Sequence, residues 1–515
     1  MAPLVALHRQ TVPPSGHSCA VACSLQLRTH LNLVTARNNA LHVYSAEGTK
    51  LAHLATRQLH GRVTALARVR TLATAQDGRD RLLVAVHHAK MTLMEWDPVQ
   101  HDLVPVSLHT YEKLPQVDDE REALLAVDPA SRLVAYLLPT NSGGDATLAL
   151  LPLFTDDEEE EEDPHLRDGI PYAPSHLVPL ASLTQPASSS TNALLPQQAN
   201  STPPIRNVVS MRFLPGFTEP TLAVLYCPDW TWAGRLEYLA HNFLVSLVTL
   251  SQGGSDANSG TRAVVISTSP ALPYSCLALH PCPVALGGGS AGGVLITTAN
   301  GLLYVDPQSG RVVATPVNGW LARDYPPGKP KPAGLVANSG PTLRERLEGS
   351  QVEFYTHPTD SEEEEGLSSE PQTTTPPRAL VWLRDGTVLD LSFTLTGRTV
   401  SSLHLTRVAQ AGHLTGGGAA TLVRLPSSTS ASRSGLVFVG SETGSSALIR
   451  WSLPSDGAGA AVDTTTASRI AEQFQAQQSS AMDVDEDGEF LTFFGYPSFP
   501  ASSPRSCFLM SVTIC

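Results

Sequence analysis

The sequence predicts an all-β fold, a β-propeller of about seven blades with long insertions on its rim. Three observations predict it. Short apolar runs come in pairs joined by a turn, and the first three pairs start at Leu31, Leu82 and Leu133, two equal steps of 51 residues. Two later pairs turn at Asn300-Gly301 and Asp385-Gly386, dipeptides that supply the positive φ of tight hairpin turns. No run keeps a 3.6-residue period for long, and the 40 prolines are spread along the chain. A β-sandwich, or two domains alike by accident, is the competing reading, and the regular step argues against it.

The elements follow in order. Leu31–Ala36 pairs with Ala40–Tyr44, Leu82–His87 with Met91–Trp96, and Leu133–Leu138 with Thr147–Leu151. The same grammar returns at Val294–Asn300 with Leu302–Val305, at Ala379–Leu383 with Thr387–Phe393, and at Leu436–Gly440 with Ala447–Trp451. Further strands are expected at Val63–Val69, Leu103–His109, Val208–Phe213, Leu222–Tyr226, Phe243–Leu250, Ala263–Thr268 and Leu403–Val408. Four strands per ~40–50 residues is the content of a propeller blade. One propeller is therefore assigned to residues 1–453.

Insertions are expected at about 156–204 and 324–377, where acidic and Pro/Ser/Thr-rich sequence cannot bury enough apolar area to offset its ordering entropy. Residues 454–490 read as an acidic disordered linker. Short helices are expected at Thr342–Gly349 and Ala467–Gln478. Ser361, before Glu362–Glu365, reads as a solvated acidic loop, with an acid-directed phosphosite as the alternative.

The 515 residues carry a formal net charge of −14. Three tracts dominate it: Asp156–Asp163, Glu362–Glu365, and the group Asp483, Asp485, Glu486, Asp487 and Glu489. Those 17 acids are more than the whole excess, and without them the chain stands at +3. A body so close to neutral excludes a basic surface built to wrap nucleic acid. No apolar stretch reaches the ~18–20 residues of a membrane-spanning helix, so no membrane partner is expected. Met1–Gln10 lacks the order of a signal peptide. Seven scattered cysteines point to a reducing compartment rather than a disulfide framework.

Most of the apparent chemistry fails on context. Gly287–Gly292 fits G-x-G-x-x-G and also G-x-S-x-G with Ser290, but both motifs need a helix next, and Gly293-Val-Leu-Ile-Thr reads as a strand. Cys19 with Cys23 and Cys276 with Cys282 lack the paired spacing of structural zinc sites and read as core. His87-His88, as strand neighbours, would point to opposite faces. No cofactor, metal or catalytic residue is assigned, and the chain is not expected to be an enzyme. The one unusual group is Trp230, Trp232 and Arg235 on a loop. Trp and Arg are over-represented in interface hot spots, which makes these three the candidate protein-interaction residues. The alternative is that Trp232 packs under a neighbouring blade while Arg235 closes a local turn.

At these residues the sequence resembles a known family, the large subunit of the cleavage and polyadenylation specificity factor in a fungal form. Met94–Leu103 continuing to Ser107–Glu112, Phe213–Arg235, Gly292–Val305 and Phe438–Ser446 carry the resemblance. The last pattern is shared with a wider superfamily that includes a UV-damaged DNA-binding subunit and a splicing subunit. Asp97–Glu112 and Thr231–Arg235 are more particular to the polyadenylation factor. The resemblance implies the first of three propellers in a nuclear scaffold for pre-mRNA 3′-end cleavage and polyadenylation. It implies protein partners: a WD-repeat subunit, a zinc-finger subunit and the nuclease module. RNA contact is expected to be weak or indirect. An adaptor in DNA repair or ubiquitin ligation, or a splicing subunit, is the alternative. The family continues for two more propellers, so the chain is read as truncated. Residues 491–515 break the blade grammar and are expected to be an atypical, non-native tail.

Overall fold

The structure, a computed structural model, describes residues 16–47, 50–71, 74, 78–111, 124–138, 146–153, 175–183, 203–236, 238–251, 262–286, 292–299, 301–306, 309–317, 347–355, 377–383, 387–397, 399–410, 419–425, 434–441, 446–452 and 510–513. Seven antiparallel meanders follow one another along these residues, and each is one blade. The inner strands are Cys19–Cys23, Val63–Val69, Leu124–Val127, Val208–Phe213, Cys276–Pro281, Gln351–Tyr355 and Ala419–Leu425. The inner strands of blades 1 to 5 pack in succession, blade 5 meets blade 6 through the outer strands Val312–Pro316 and Thr399–Gln410, blade 6 packs on blade 7, and blade 7 on blade 1, so the ring closes.

Each hairpin read from the sequence forms the second and third strands of a blade. Asn32–Arg37 pairs with Ala40–Glu47, Arg81–Val86 with Lys90–Asp97, and Ser434–Ser441 with Ala447–Ser452. These strands are legible because a blade stands radially and its neighbours cover both faces. Leu133–Leu138 and Thr221–Tyr226 are buried at every position, which gives continuous apolar runs rather than alternation. The hydrophobic clusters lie between blades: Trp96 and Leu103 of blade 2 pack with Val34 and Leu41 of blade 1, and Phe213 and Tyr226 of blade 4 pack with Leu148 and Leu150 of blade 3. Each large side chain buried there contributes about 1.5–3 kcal/mol.

Three boundaries differ from the sequence reading. His176–Pro179, inside the expected insertion 156–204, is the outer strand of blade 3. Gln351–Tyr355, inside the expected insertion 324–377, is the inner strand of blade 6. Met510–Thr513, inside the tail assigned outside the blades, is the outer strand of blade 7 and pairs with Leu448–Trp451. Each is four or five residues long and lies at the edge of its sheet. Such a strand has one bonded neighbour and too few residues to show a period. The expected helix at 342–349 also differs: Leu347–Ser350 is a turn with Leu347 buried, while 342–346 lie outside the described residues. The helix at 467–478, the linker 454–490, the glycines 287–291, Ser361 and the three acidic tracts lie outside them too.

Because each blade begins inside and runs outward, the first and third turns of every blade lie at one end of the ring. The second turn and the link to the next blade lie at the other. At the first end the loops hold one another. The Ser24 N–H donates to Asp80 Oδ2 at 3.0 Å, the Arg70 N–H donates to Ser131 Oγ at 3.2 Å, and Arg132 donates to the carbonyl of Thr218. The strands flanking all three acidic tracts turn at this same end: 154–174 follows a third strand, 356–376 a first strand and 453–509 a third strand.

The seam between blades 7 and 1 is held at the opposite end. The backbone N–H of His17 donates to the carbonyl of Ser441 at 2.7 Å, and its Nδ1 lies 2.7 Å from Ser446 Oγ. Arg37 Nε donates to His17 Nε2 at 2.9 Å. The imidazole stands edge-on to Phe438, and burial together with the Arg37 charge pushes its pKa down to about 4. Gly440 is required here: a Cβ would come within 2.6 Å of Thr421 Cγ2 and 3.2 Å of His17 Cβ.

Candidate functional site

Trp230, Trp232 and Arg235 lie on the second turn of blade 4, between Thr221–Tyr226 and His241–Ser251. This is the end of the ring away from the flanks of the acidic tracts. The loop is anchored from below. Cys227 Sγ–H donates to the Asp229 carbonyl at 3.0 Å, and Asn242 Nδ2 donates to the same oxygen at 2.9 Å. Burial, with the Asp229 charge adding to it, pushes the Cys227 thiol up to about 11, so it serves as a neutral donor. Ala233–Arg235 forms a single 3₁₀ turn, closed by the Arg235 N–H donating to the Trp232 carbonyl at 2.8 Å. The Tyr238 and Leu239 N–H groups then donate to the Arg235 carbonyl.

The turn presents the side chains rather than burying them. Trp232 is 61% exposed, so it does not pack under a neighbouring blade; Arg235 does close a local turn through its backbone. The Arg235 guanidinium carbon lies 4.8 Å from the Trp232 ring centroid, a cation–π stack that holds both side chains on one surface. Trp230 is half exposed and meets Phe243 edge-on at 6.3 Å, which roots it in the core.

Sequence reasoning missed two members. Tyr238 is 83% exposed and Tyr274 is 46% exposed. Tyr274 reaches the loop from the link between blades 4 and 5, where its N–H donates to the Ala240 carbonyl at 2.9 Å. Among the described residues, every exposed Trp, Tyr or Phe lies in this group. Tyr238, three residues past Arg235, was visible as aromatic density. Tyr274, thirty-nine residues away, had no local signal.

The other candidate chemistry resolves otherwise. His87 and His88 sit in the turn of their hairpin, with rings in contact at 4.4 Å rather than on opposite faces. His88 and Ala89 take φ of 65° and 50°, left-handed backbone within the three residues His87–Ala89 that separate the paired Val86 and Lys90. No group of three metal-ligating side chains forms among the described residues. Cys23, Cys276 and Cys282 are buried free thiols whose pKa values burial raises, and Cys19 faces the central channel.

Residues 17–143 match the family model described as the RSE1/DDB1/CPSF1 first beta-propeller. The Protein CFT1 of Coccidioides immitis is 28% identical over 485 residues, which covers 87% of this chain and 31% of that protein. The Protein cft1 of Aspergillus fumigatus is 28% identical over 498 residues, 86% of this chain and 31% of that protein. The Yarrowia lipolytica Protein CFT1 is 27% identical over 409 residues, 79% of this chain and 27% of that protein. The chain is related to the Cft1 proteins. The resemblance to the large subunit of the polyadenylation factor is thereby borne out, as is the propeller fold. The chain spans about 31% of the length of these first relatives.

Proposed function

We propose that this chain is the first-propeller part of a scaffold subunit in pre-mRNA 3′-end cleavage and polyadenylation, acting in the nucleus. The observation that carries this reading is the match of 17–143 to the first-propeller model, together with Cft1 relatives aligned along 86–87% of the chain. In this reading the aromatic loop of blade 4 docks a protein subunit of the complex, with Trp232, Arg235 and Trp230 as anchors. What supports it is hot-spot chemistry on a rigid mount: two indoles and a stacked guanidinium lose little rotamer freedom on binding. The expected partners are the WD-repeat subunit, the zinc-finger subunit and the nuclease module. RNA binds weakly and without sequence preference, because the chain outside the acidic tracts carries a net charge of only +3. Catalysis forms no part of this role.

Affinity purification with the tagged full chain from nuclear extract tests it. Recovery of the WD-repeat polyadenylation subunit is expected. Recovery of a cullin or splicing complex instead overturns the assignment. Trp232→Ala should weaken capture of the partner by about 2 kcal/mol, roughly thirtyfold. Unchanged capture would remove the loop from the docking role and leave the assignment of the chain standing.

A further inference from the structure

The channel through the middle of the ring is a cavity of about 770 Å³, lined by the inner strands of blades 1 to 5. Its charged lining is Arg68, Arg70, Asp80, Asp128 and Arg212. The two carboxylates are already committed at the mouth. Asp80 accepts from Arg70 Nη2 at 3.1 Å and from the Ser24 N–H at 3.0 Å, and Asp128 accepts from Arg132 Nε at 2.8 Å and Nη2 at 3.1 Å. Arg70 is thereby neutralised. Arg68 and Arg212 have no carboxylate partner among the described residues. The one hydrogen bond of Arg212 runs from Nη1 to the carbonyl of Met211, its chain neighbour, at 3.1 Å.

Arg212 is exposed to the channel, and the protein around it lowers its pKa. His280, on the inner strand of blade 5, stays neutral there. Burial first, and the Arg212 charge second, push its pKa down to about 3, and its Nε2 has no hydrogen-bond partner among the described residues. Two guanidinium groups face one open channel, neither matched by a carboxylate among the described residues, and this concentrates positive potential where an anion can enter. A guanidinium offers a planar fork of donors that fits carboxylate or phosphate oxygens.

We infer that the central channel is a binding site for an oxyanion, a carboxylate or phosphate group held by Arg68 and Arg212. The oxygens accept from the two guanidinium groups, and the anion's charge replaces the missing counter-charge. Two sources share this chemistry: free phosphate, and a carboxylate side chain of a protein segment. One acidic segment of this chain is 154–174, whose flanking strands turn at the end of the ring where Asp80 and Asp128 mark the mouth.

Equilibrium dialysis of the full chain against radiolabelled inorganic phosphate, at fixed ionic strength made up with chloride, tests the site. Saturable binding is expected, weakened about tenfold or more in Arg212→Gln and in Arg68→Gln. It should be unchanged in Arg57→Gln, which alters an ion pair on the outer rim. A second chain with Asp156–Asp163 replaced by Asn and Gln separates the sources. Tighter phosphate binding to that chain than to the wild type means that its own carboxylates compete for the site, and equal binding assigns the site to free phosphate. Absence of saturable binding to both chains overturns the proposal. So does equal binding by the wild type, Arg212→Gln and Arg68→Gln.

Discussion

The two ends of the ring use their loops in opposite ways. At the end where first and third turns gather, the loops of neighbouring blades hold one another through Asp80, Ser131, Asp128 and Arg132, and the charged groups are spent on cohesion. At the other end, among the described residues, the second turn of blade 4 is hydrogen-bonded to its own blade and to Tyr274, and it displays Trp230, Trp232, Tyr238 and Arg235 to solvent. The strands that flank the acidic tracts all turn at the first end, not at the aromatic one. A meander topology sorts surface chemistry by turn number, whatever the blade. The seam is the exception at the aromatic end, because His17 ties blade 1 to blade 7 there.

The sharpest way to break this contrast is to damage each end in turn. Asp128 is buried, with 1% of its side chain exposed, and is matched to Arg132. Asp128→Asn should cost roughly 3 kcal/mol of unfolding free energy, read by denaturant titration, because a partly buried guanidinium loses its charge partner. Trp232→Ala should stay within about 0.5 kcal/mol in the same titration, since most of the ring is already in water. Equal losses would mean that the aromatic loop is structural after all.

The seam tests whether closure is as tight as the interior. Gly440→Val should cost about 1–3 kcal/mol through overpacking against Thr421 and His17. No loss would show that blades 7 and 1 part freely. The same seam gives a pH dependence. His17 is held below its ordinary 6.5, at about 4, so the folded state favours the neutral ring. Its contribution is fully present above pH 6.5 and is lost as pH falls from 6.5 toward 4. Unfolding midpoints across that range should fall less steeply in His17→Gln than in the wild type, and parallel curves would show that the proton is not felt at the seam. The smallest effect belongs to the rim. Arg57 pairs with Asp102 at 3.0 Å with both side chains partly exposed, and Arg57→Gln should change stability by less than about 1 kcal/mol. A larger loss would extend the cohesion of the first end to the outer strands.

Much of the fold was legible because radial blades bury both faces of their middle strands. Leu133–Leu138 and Val294–Thr298 are buried at every position for that reason, and the turn residues between such runs announce the hairpins. The edge strands were not legible. Gln351-Val-Glu-Phe-Tyr355 alternates polar and apolar residues over only its first four positions, and His176-Leu-Val-Pro179 holds just two apolar residues before a proline, so neither stands out from the polar sequence around it. The candidate loop was legible by residue type alone: Trp230, Trp232 and Arg235 are rare residues close together. Their exposure was not, because the same residues would serve equally well packed beneath a blade.

By itself the sequence determined the repeat, the hairpins inside it, the separation of charge into three tracts, and the resemblance to a scaffold family. Each of these is a local property, set by side-chain burial period, turn chemistry or run length. The tertiary structure alone decided which turns share an end of the ring. It alone bonded Tyr274 to the aromatic loop at Ala240, and placed Arg68 and Arg212 in one channel with no carboxylate partner among the described residues. Those relations join residues from different blades, and only closure of the ring fixes the distances between them.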